Sequence, residues 1–231
     1  MTEGLLAFDD VAGGYGTTTI VRGVTGAVAA GEVLCLLGRN GVGKSTLMKL
    51  LAGHLRPWRG AISFKGRPIA TLDPAARRAL GITYCPQERV VFDDLTVREN
   101  LFLMRRSRSL APLKPYFDRF PILERRLAQH AGTLSGGEKK ILSFVRGCFE
   151  DAPLVLIDEP TEGVQLENIE HMRALIAAKR AQGTAFVVVE QNLAFAETVA
   201  DRYLVMDQGR IVLAGAQGAV GRDTLLAHLH V

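Results

Sequence analysis

Residues 38 to 46 read GRNGVGKST and match the spacing G-x-x-x-x-G-K-[ST]. Gly38, Gly41 and Gly43 let backbone N–H groups curl around phosphate oxygens, with Arg39, Asn40 and Val42 between them. Lys44 brings a positive charge to β- and γ-phosphates, and Ser45, followed by Thr46, offers a hydroxyl to Mg²⁺. The apolar run EVLCLL (32–37) precedes the motif and the helical STLMKLLAG follows it, the strand–loop–helix context such a loop needs. A glycine-rich turn before a helix is the plainer alternative, and the register of the three parts weighs against it.

Three more stretches carry chemistry. LVLIDEP ends an apolar run on two adjacent carboxylates, Asp158 and Glu159, whose mutual repulsion points to a cation or a reaction beside them. Next to a phosphate-binding loop, Asp158 suits the Mg²⁺ shell and Glu159 suits a general base for water. LSGGEKK (134–140) sets Ser135 and Glu138 in a capping-box spacing around Gly136 and Gly137, which leaves a helix N-terminus bare enough to meet an anion. One nucleotide does not obviously need two such helix ends from one chain, whereas a second chain could use one. Finally, VVVEQN (187–192) runs three valines into Glu190 and Gln191, as a buried strand does when it delivers polar groups to a site.

The elements that must position these groups read as α/β. EVLCLL, LVLI (154–157) and TAFVVV (184–189) are short continuous apolar runs, the mark of strands buried on both faces. Ile169, Met172, Leu175 and Ile176 recur at helical spacing until Gly183. YLVM and RIVLAG flank Asp207-Gln208-Gly209, a hairpin signal. LLAFDDV, TTIVRGV and AISFKG are strand-like runs that resemble an antiparallel edge, and from Pro86 to Gly147 the pattern is mostly helical.

The 231 residues suit one domain or one carrying an insertion, and 48% apolar with 23% charged residues is a globular balance. No apolar run reaches the roughly 18 residues of a membrane span, and MTEGLLAFDD is no secretory signal, so a cytosolic protein is expected. Cys35 lies in an apolar run, and Cys85 and Cys148 read as free thiols without metal spacing. Of the net +4, eight basic and three acidic residues between Arg98 and Arg126 supply +5. A solvated helical face, nucleic acid and an anionic membrane surface all fit that segment.

The order of the phosphate-binding loop, Gln87, LSGGE, LVLIDEP and a polar strand end resembles the ABC-type ATPases along nearly the whole chain. The resemblance implies a RecA-like P-loop NTPase core over 1–86 and 148–231, with an antiparallel β edge subdomain. A helical subdomain is implied over 87–147. It implies that Tyr15 stacks on adenine and that Gln87 senses Mg²⁺ and γ-phosphate. Ser135, Gly136, Gly137 and Glu138 would close over ATP held by an opposed subunit in a head-to-tail dimer. Strand 185–189 would normally deliver a histidine to the γ-phosphate, and Gln191 stands there instead; Gln165 stands where aspartate is usual. Glutamine donates a hydrogen bond but carries no charge. Gln191 capping the following helix is the alternative.

VEQNLAFA, GRNGVGKST and DEPTEGVQ resemble the shorter ATPase subunit of importers for branched-chain amino acids and for urea or short amides. That implies an ATP- and Mg²⁺-dependent ATPase, peripheral on the inner membrane face. Its implied partners are permease subunits, a second ATPase subunit and, indirectly, a solute-binding protein; Val90, Val91 and Phe92 would adjoin the permease groove. A non-transport ABC ATPase acting on nucleic acid or another assembly is the alternative, with no nucleic acid expected under the first reading. A small-molecule kinase leaves LSGGE unexplained.

Overall fold

A strand that is apolar at every position has to be covered on both faces. The computed structural model, which describes residues 4–229, shows a central sheet doing so. The chain opens with β1 (Leu6–Tyr15), β2 (Thr18–Val28) and β3 (Val33–Leu37), then α1 (Lys44–Ala52). There follow β4 (Arg59–Phe64), β5 (Arg67–Pro68), α2 (Pro74–Leu80) and β6 (Ile82–Cys85). The middle holds α3 (Val97–Phe102), α4 (Lys114–Phe117), α5 (Pro121–Arg125) and α6 (Gly136–Phe149). Then come β7 (Leu154–Asp158), α7 (Leu166–Ala181), β8 (Ala185–Glu190) and α8 (Leu193–Val199). A hairpin of β9 (Arg202–Asp207) and β10 (Arg210–Ala216) precedes α9 (Arg222–Leu229).

Six strands lie in the order β10-β9-β3-β8-β7-β6, parallel from β9 to β6, with β10 antiparallel on the edge. The period-2 alternation splits each apolar run between two cores. Val33, Cys35, Leu37, Val155, Ile157, Phe186 and Val188 face a cluster built with α3, α6, α7 and α8. Leu34, Leu36, Leu154, Leu156, Val187 and Val189 face the other cluster, shared with α1 and with a four-stranded antiparallel sheet ordered β2-β1-β4-β5. The protein therefore has three layers, with the parallel sheet in the middle.

Residues 86–147 hold no named strand, and their regular structure is helical but broken into short pieces. These pieces are α3, α4, α5, α6 and two 3-10 turns at Ala111–Leu113 and Ala131–Thr133, and α6 runs to Phe149, past the expected boundary at 147. Pro112, Pro115 and Pro121 each sit at the start of a short turn of helix, where the missing N–H costs nothing but restarts the chain repeatedly. Arg105 stacks on Phe149 and binds its carbonyl, and Arg126 pairs with Glu138, while Arg106 and Arg108 are exposed.

One buried cation serves the fold directly. Arg77 on α2 is 1% exposed and donates to the carbonyls of Leu50 and Leu51, the C-terminal end of α1, and to those of Ala70 and Leu72. Those carbonyls carry the negative end of the α1 dipole, so Arg77 holds the helix whose other end is the glycine loop. Burial lowers its pKa to about 10. Of the stretch MTEGLLAFDD, residues 1–3 lie outside the described residues.

Candidate active site

Register brings the chemical stretches to one edge. β8 lies between β3 and β7, with Leu37 level with Glu190 and Asp158 level with Val189, while Cys85 of β6 is level with Ile157. The loops leaving these carboxyl ends carry Gly38–Gly43, Gln191, Glu159 and Gln87, the crevice where parallel α/β sheets bind ligands.

In the glycine loop the backbone needs φ of +149° at Gly38, +80° at Gly41 and +111° at Gly43. A Cβ on Gly38 would stand 2.4 Å from the Met206 carbonyl oxygen. Arg39, Asn40 and Gly41 are exposed, Val42 is half-buried and Thr46 is buried. The Lys44 ammonium, 4% exposed, donates to the Gly38 and Arg39 carbonyls at 2.7 and 2.8 Å. Burial lowers its pKa, and Glu159, Asp158 and Glu190 work against the fall. The charge that would meet phosphate is parked on the loop it serves.

Asp158 and Glu159 are neighbours with unlike surroundings. Burial pushes Asp158 up to about 6, helped by the adjacent Glu159 and opposed by hydrogen bonding from Ser45 and by Lys44. Tyr84, which sequence reasoning missed because β6 shows only a short apolar run, donates to Asp158 Oδ2 at 3.4 Å. Glu159 leaves the strand at φ +50°, a conformation costing a side-chain-bearing residue about 1–3 kcal/mol. Its carboxylate is held at both oxygens: Gln87 Nε2 donates to Oε2 at 2.8 Å and Gln191 Nε2 to Oε1 at 2.7 Å. Lys44 Nζ lies 3.9 Å from Oε1.

The polar pair ending β8 divides its work. Glu190, 2% exposed, turns back to accept from the backbone N–H groups of Thr161, Gln191 and Asn192, each at 3.1 Å. Helix α8 is capped by Asn192, whose Oδ1 accepts from Phe195 N at 3.1 Å, so the capping alternative for Gln191 fails. Gln191 is free to reach Glu159 because its neighbour does the capping.

The remaining residues lie apart from that centre. Tyr15 is 46% exposed, and its hydroxyl accepts from Lys49 of α1 at 3.2 Å, leaving a ring face beside the loop helix. Ser135 and Glu138 form the full capping box at the start of α6. A Cβ on Gly136 would meet nothing within 4 Å, whereas one on Gly137 would stand 2.6 Å from the Gly163 carbonyl oxygen. Ser135, Gly137 and Glu138 line a cavity of about 360 Å³ that the glycine loop does not share. Ser45, Gln87 and Asp158 line a groove of about 840 Å³ that continues to Phe92, Leu103 and Met104.

Mg²⁺ fits this donor set. Asp158 Oδ1 is buried and accepts no hydrogen bond from the protein, so one carboxylate oxygen is left for a cation.

The family model described as ABC transporter matches residues 21–162. A high-affinity branched-chain amino acid transport ATP-binding protein of Pseudomonas aeruginosa is 35% identical over 213 residues, covering 90% of this chain and 91% of that one. A hemin import ATP-binding protein of Nocardia farcinica is 36% identical over 214 residues, covering 88% and 73%. Among solved structures, an ATP-binding subunit of an ABC transporter superposes with a TM-score of 0.86 at 31% identity, covering 97% of this chain and 99% of that one.

Proposed function

Because this chain belongs to the ABC transporter family, whose members hydrolyse ATP to power transport, we propose that it drives an importer of branched-chain or other hydrophobic amino acids, or of urea and short amides. Support for the cargo class comes from the branched-chain relative and from the VEQN and TEGVQ stretches. The proposed assembly has permease subunits, a second ATPase subunit paired head to tail and, through the permease, a solute-binding protein. Its place is the inner membrane face; no helix among the described residues is long and apolar enough to cross a membrane.

The observation that carries the mechanism is the double hold on Glu159 beside Lys44. When ATP enters, backbone N–H groups of the glycine loop receive phosphate oxygens, and Lys44 exchanges the Gly38 and Arg39 carbonyls for them. Tyr15 stacks on adenine, and Ser135 with Gly136, Gly137 and Glu138 closes a site on the opposed chain. Glu159 accepts a proton from the attacking water, with Gln87 and Gln191 aiming its two oxygens. Ser45, Gln87 and Asp158 would hold Mg²⁺, which supplies positive charge to the β- and γ-phosphate oxygens. With Gln191 in the histidine position, this site has a neutral donor at the γ-phosphate, and turnover is expected to be slower than in a partner carrying histidine.

Calorimetry with Mg·ATP tests the binding half. Lys44→Ala is expected to weaken affinity by roughly 10–10²-fold, the worth of a hydrogen bond to a charged group. Unchanged affinity refutes the assignment. Co-purification of a permease, followed by uptake of labelled leucine and urea, tests the cargo; transport of neither removes it.

A further inference from the structure

We propose that Lys140 is a positioning residue for Glu159 and ties the serine-glycine end of α6 to the general base of its own chain. The inference rests on the ATPase reading, with Glu159 as base. Lys140 lies on the second turn of α6, and its Nζ donates to the Glu159 backbone carbonyl at 2.9 Å and to Glu162 Oε2 at 2.7 Å. Its side chain is 13% exposed, whereas that of Glu162 is 63% exposed, so the ammonium is the buried partner and the carboxylate its outer anchor. Lys140 in turn holds Glu162 below the usual carboxylate range.

The contact falls where the chain needs it. Glu159 adopts φ +50°, and its own N–H donates to the Val189 carbonyl at 3.0 Å. That bond fixes the peptide before Glu159, and Lys140 fixes the peptide after it with a charge-assisted hydrogen bond. Gln87 and Gln191 then aim the carboxylate from a backbone clamped on both sides. The same helix starts at Ser135, whose capping box with Glu138 makes its first turn rigid. A pull on Ser135 by a phosphate is therefore passed along one turn of helix to Lys140, and from there to Glu159. If Ser135 serves the site completed by a second chain, occupation of that site sets the base in this one.

Full-length chain, at concentrations where it hydrolyses ATP, is compared with Lys140→Met, Lys140→Arg and Glu162→Gln. Lys140→Met is expected to lower kcat by about 10–10²-fold, the cost of a misplaced catalytic group. Affinity for ATP should stay within about twofold and cooperativity in ATP should disappear. Lys140→Arg is expected to restore kcat to within about threefold, since guanidinium keeps both charge-assisted bonds. Glu162→Gln, which leaves the carbonyl contact in place, should lie between. Unchanged kcat and cooperativity in Lys140→Met overturns the inference. So does a parallel loss of kcat and ATP affinity that arginine does not rescue, the signature of a folding defect. Equal phosphate release from the parent and Lys44→Ala overturns the site reading itself, and this inference with it.

Discussion

Asp158 and Glu159 are adjacent carboxylates to which the fold assigns opposite surroundings. Glu159 receives two amide donors and a nearby ammonium, whereas Asp158 is buried with one oxygen unpartnered. Burial lifts the Asp158 pKa from 3.8 to about 6, so the folded protein binds a proton that the unfolded chain has released across that interval. Its contribution is fully present below the unfolded pKa and is lost as pH rises through about 6. A shift of that size corresponds to on the order of 3 kcal/mol at neutral pH. In nucleotide-free protein, Asp158→Asn is therefore expected to melt higher than the parent at pH 7.5, by about 2–4 °C per kcal/mol relieved. The difference should vanish near pH 4. Stabilisation by added Mg·ADP should be lost in the same variant. Thermal scans at the two pH values, with and without Mg·ADP, check both halves, and a parent that outlasts Asp158→Asn at pH 7.5 contradicts them.

Among the elements, α7 and α8 start in contrasting ways. Asn192 closes the start of α8 with a side-chain bond to Phe195 N, while Gln165 at the start of α7 makes no capping bond and is exposed. Glutamine carries its oxygen one methylene too far to fold back on the first turn as aspartate does. Gln165→Asp is expected to stabilise the protein by about 0.5–2 kcal/mol, through a cap and a favourable charge at the helix N-terminus. Equilibrium denaturation in urea measures it; an unchanged midpoint contradicts the geometry. α6 shows the complementary case, with Ser135 and Glu138 satisfying each other's backbone donors while the glycines between them leave the surface open.

At the scale of the whole molecule, the site edge of the central sheet opens into the groove that ends at Phe92 and Met104, which are 56% and 54% exposed. Val90, Val91 and Phe92 do not act alike. Val91 is buried and Val90 packs against the core, so Phe92 is left outward. Asn100, fully buried, binds the Phe92 N–H and carbonyl, and Arg146 binds the Val90 carbonyl, so the loop is rigid without help from the Phe92 ring. An exposed aromatic on a braced loop suits a partner surface. Phe92→Asp is accordingly expected to abolish permease co-purification or transport while leaving ATP affinity and melting temperature unchanged. Normal assembly and uptake by that variant would exclude this groove as the permease contact.

Much of this was legible in the residues. Continuous apolar runs located β3, β7 and β8 because a strand buried twice has no polar phase, and Gly38–Thr46 was readable because phosphate chemistry constrains consecutive residues. The antiparallel edge and the β9–β10 hairpin followed from glycine punctuation. The helical character of residues 86–147 was legible but its breaks were not, because apolar spacing records which face is buried and not how often proline restarts the helix. Tertiary structure alone decided that Glu190 serves the backbone, that Asn192 is the cap and that Gln191 meets Glu159 across two strands. It likewise decided that Lys140, inside a motif read for its serine and glycines, reaches Glu159 from α6. The Lys140–Glu159 and Gln191–Glu159 contacts join residues 19 and 32 apart in sequence. Spacing along a chain specifies local conformation, and only the packing of strands and helices specifies which distant side chains share a few ångströms.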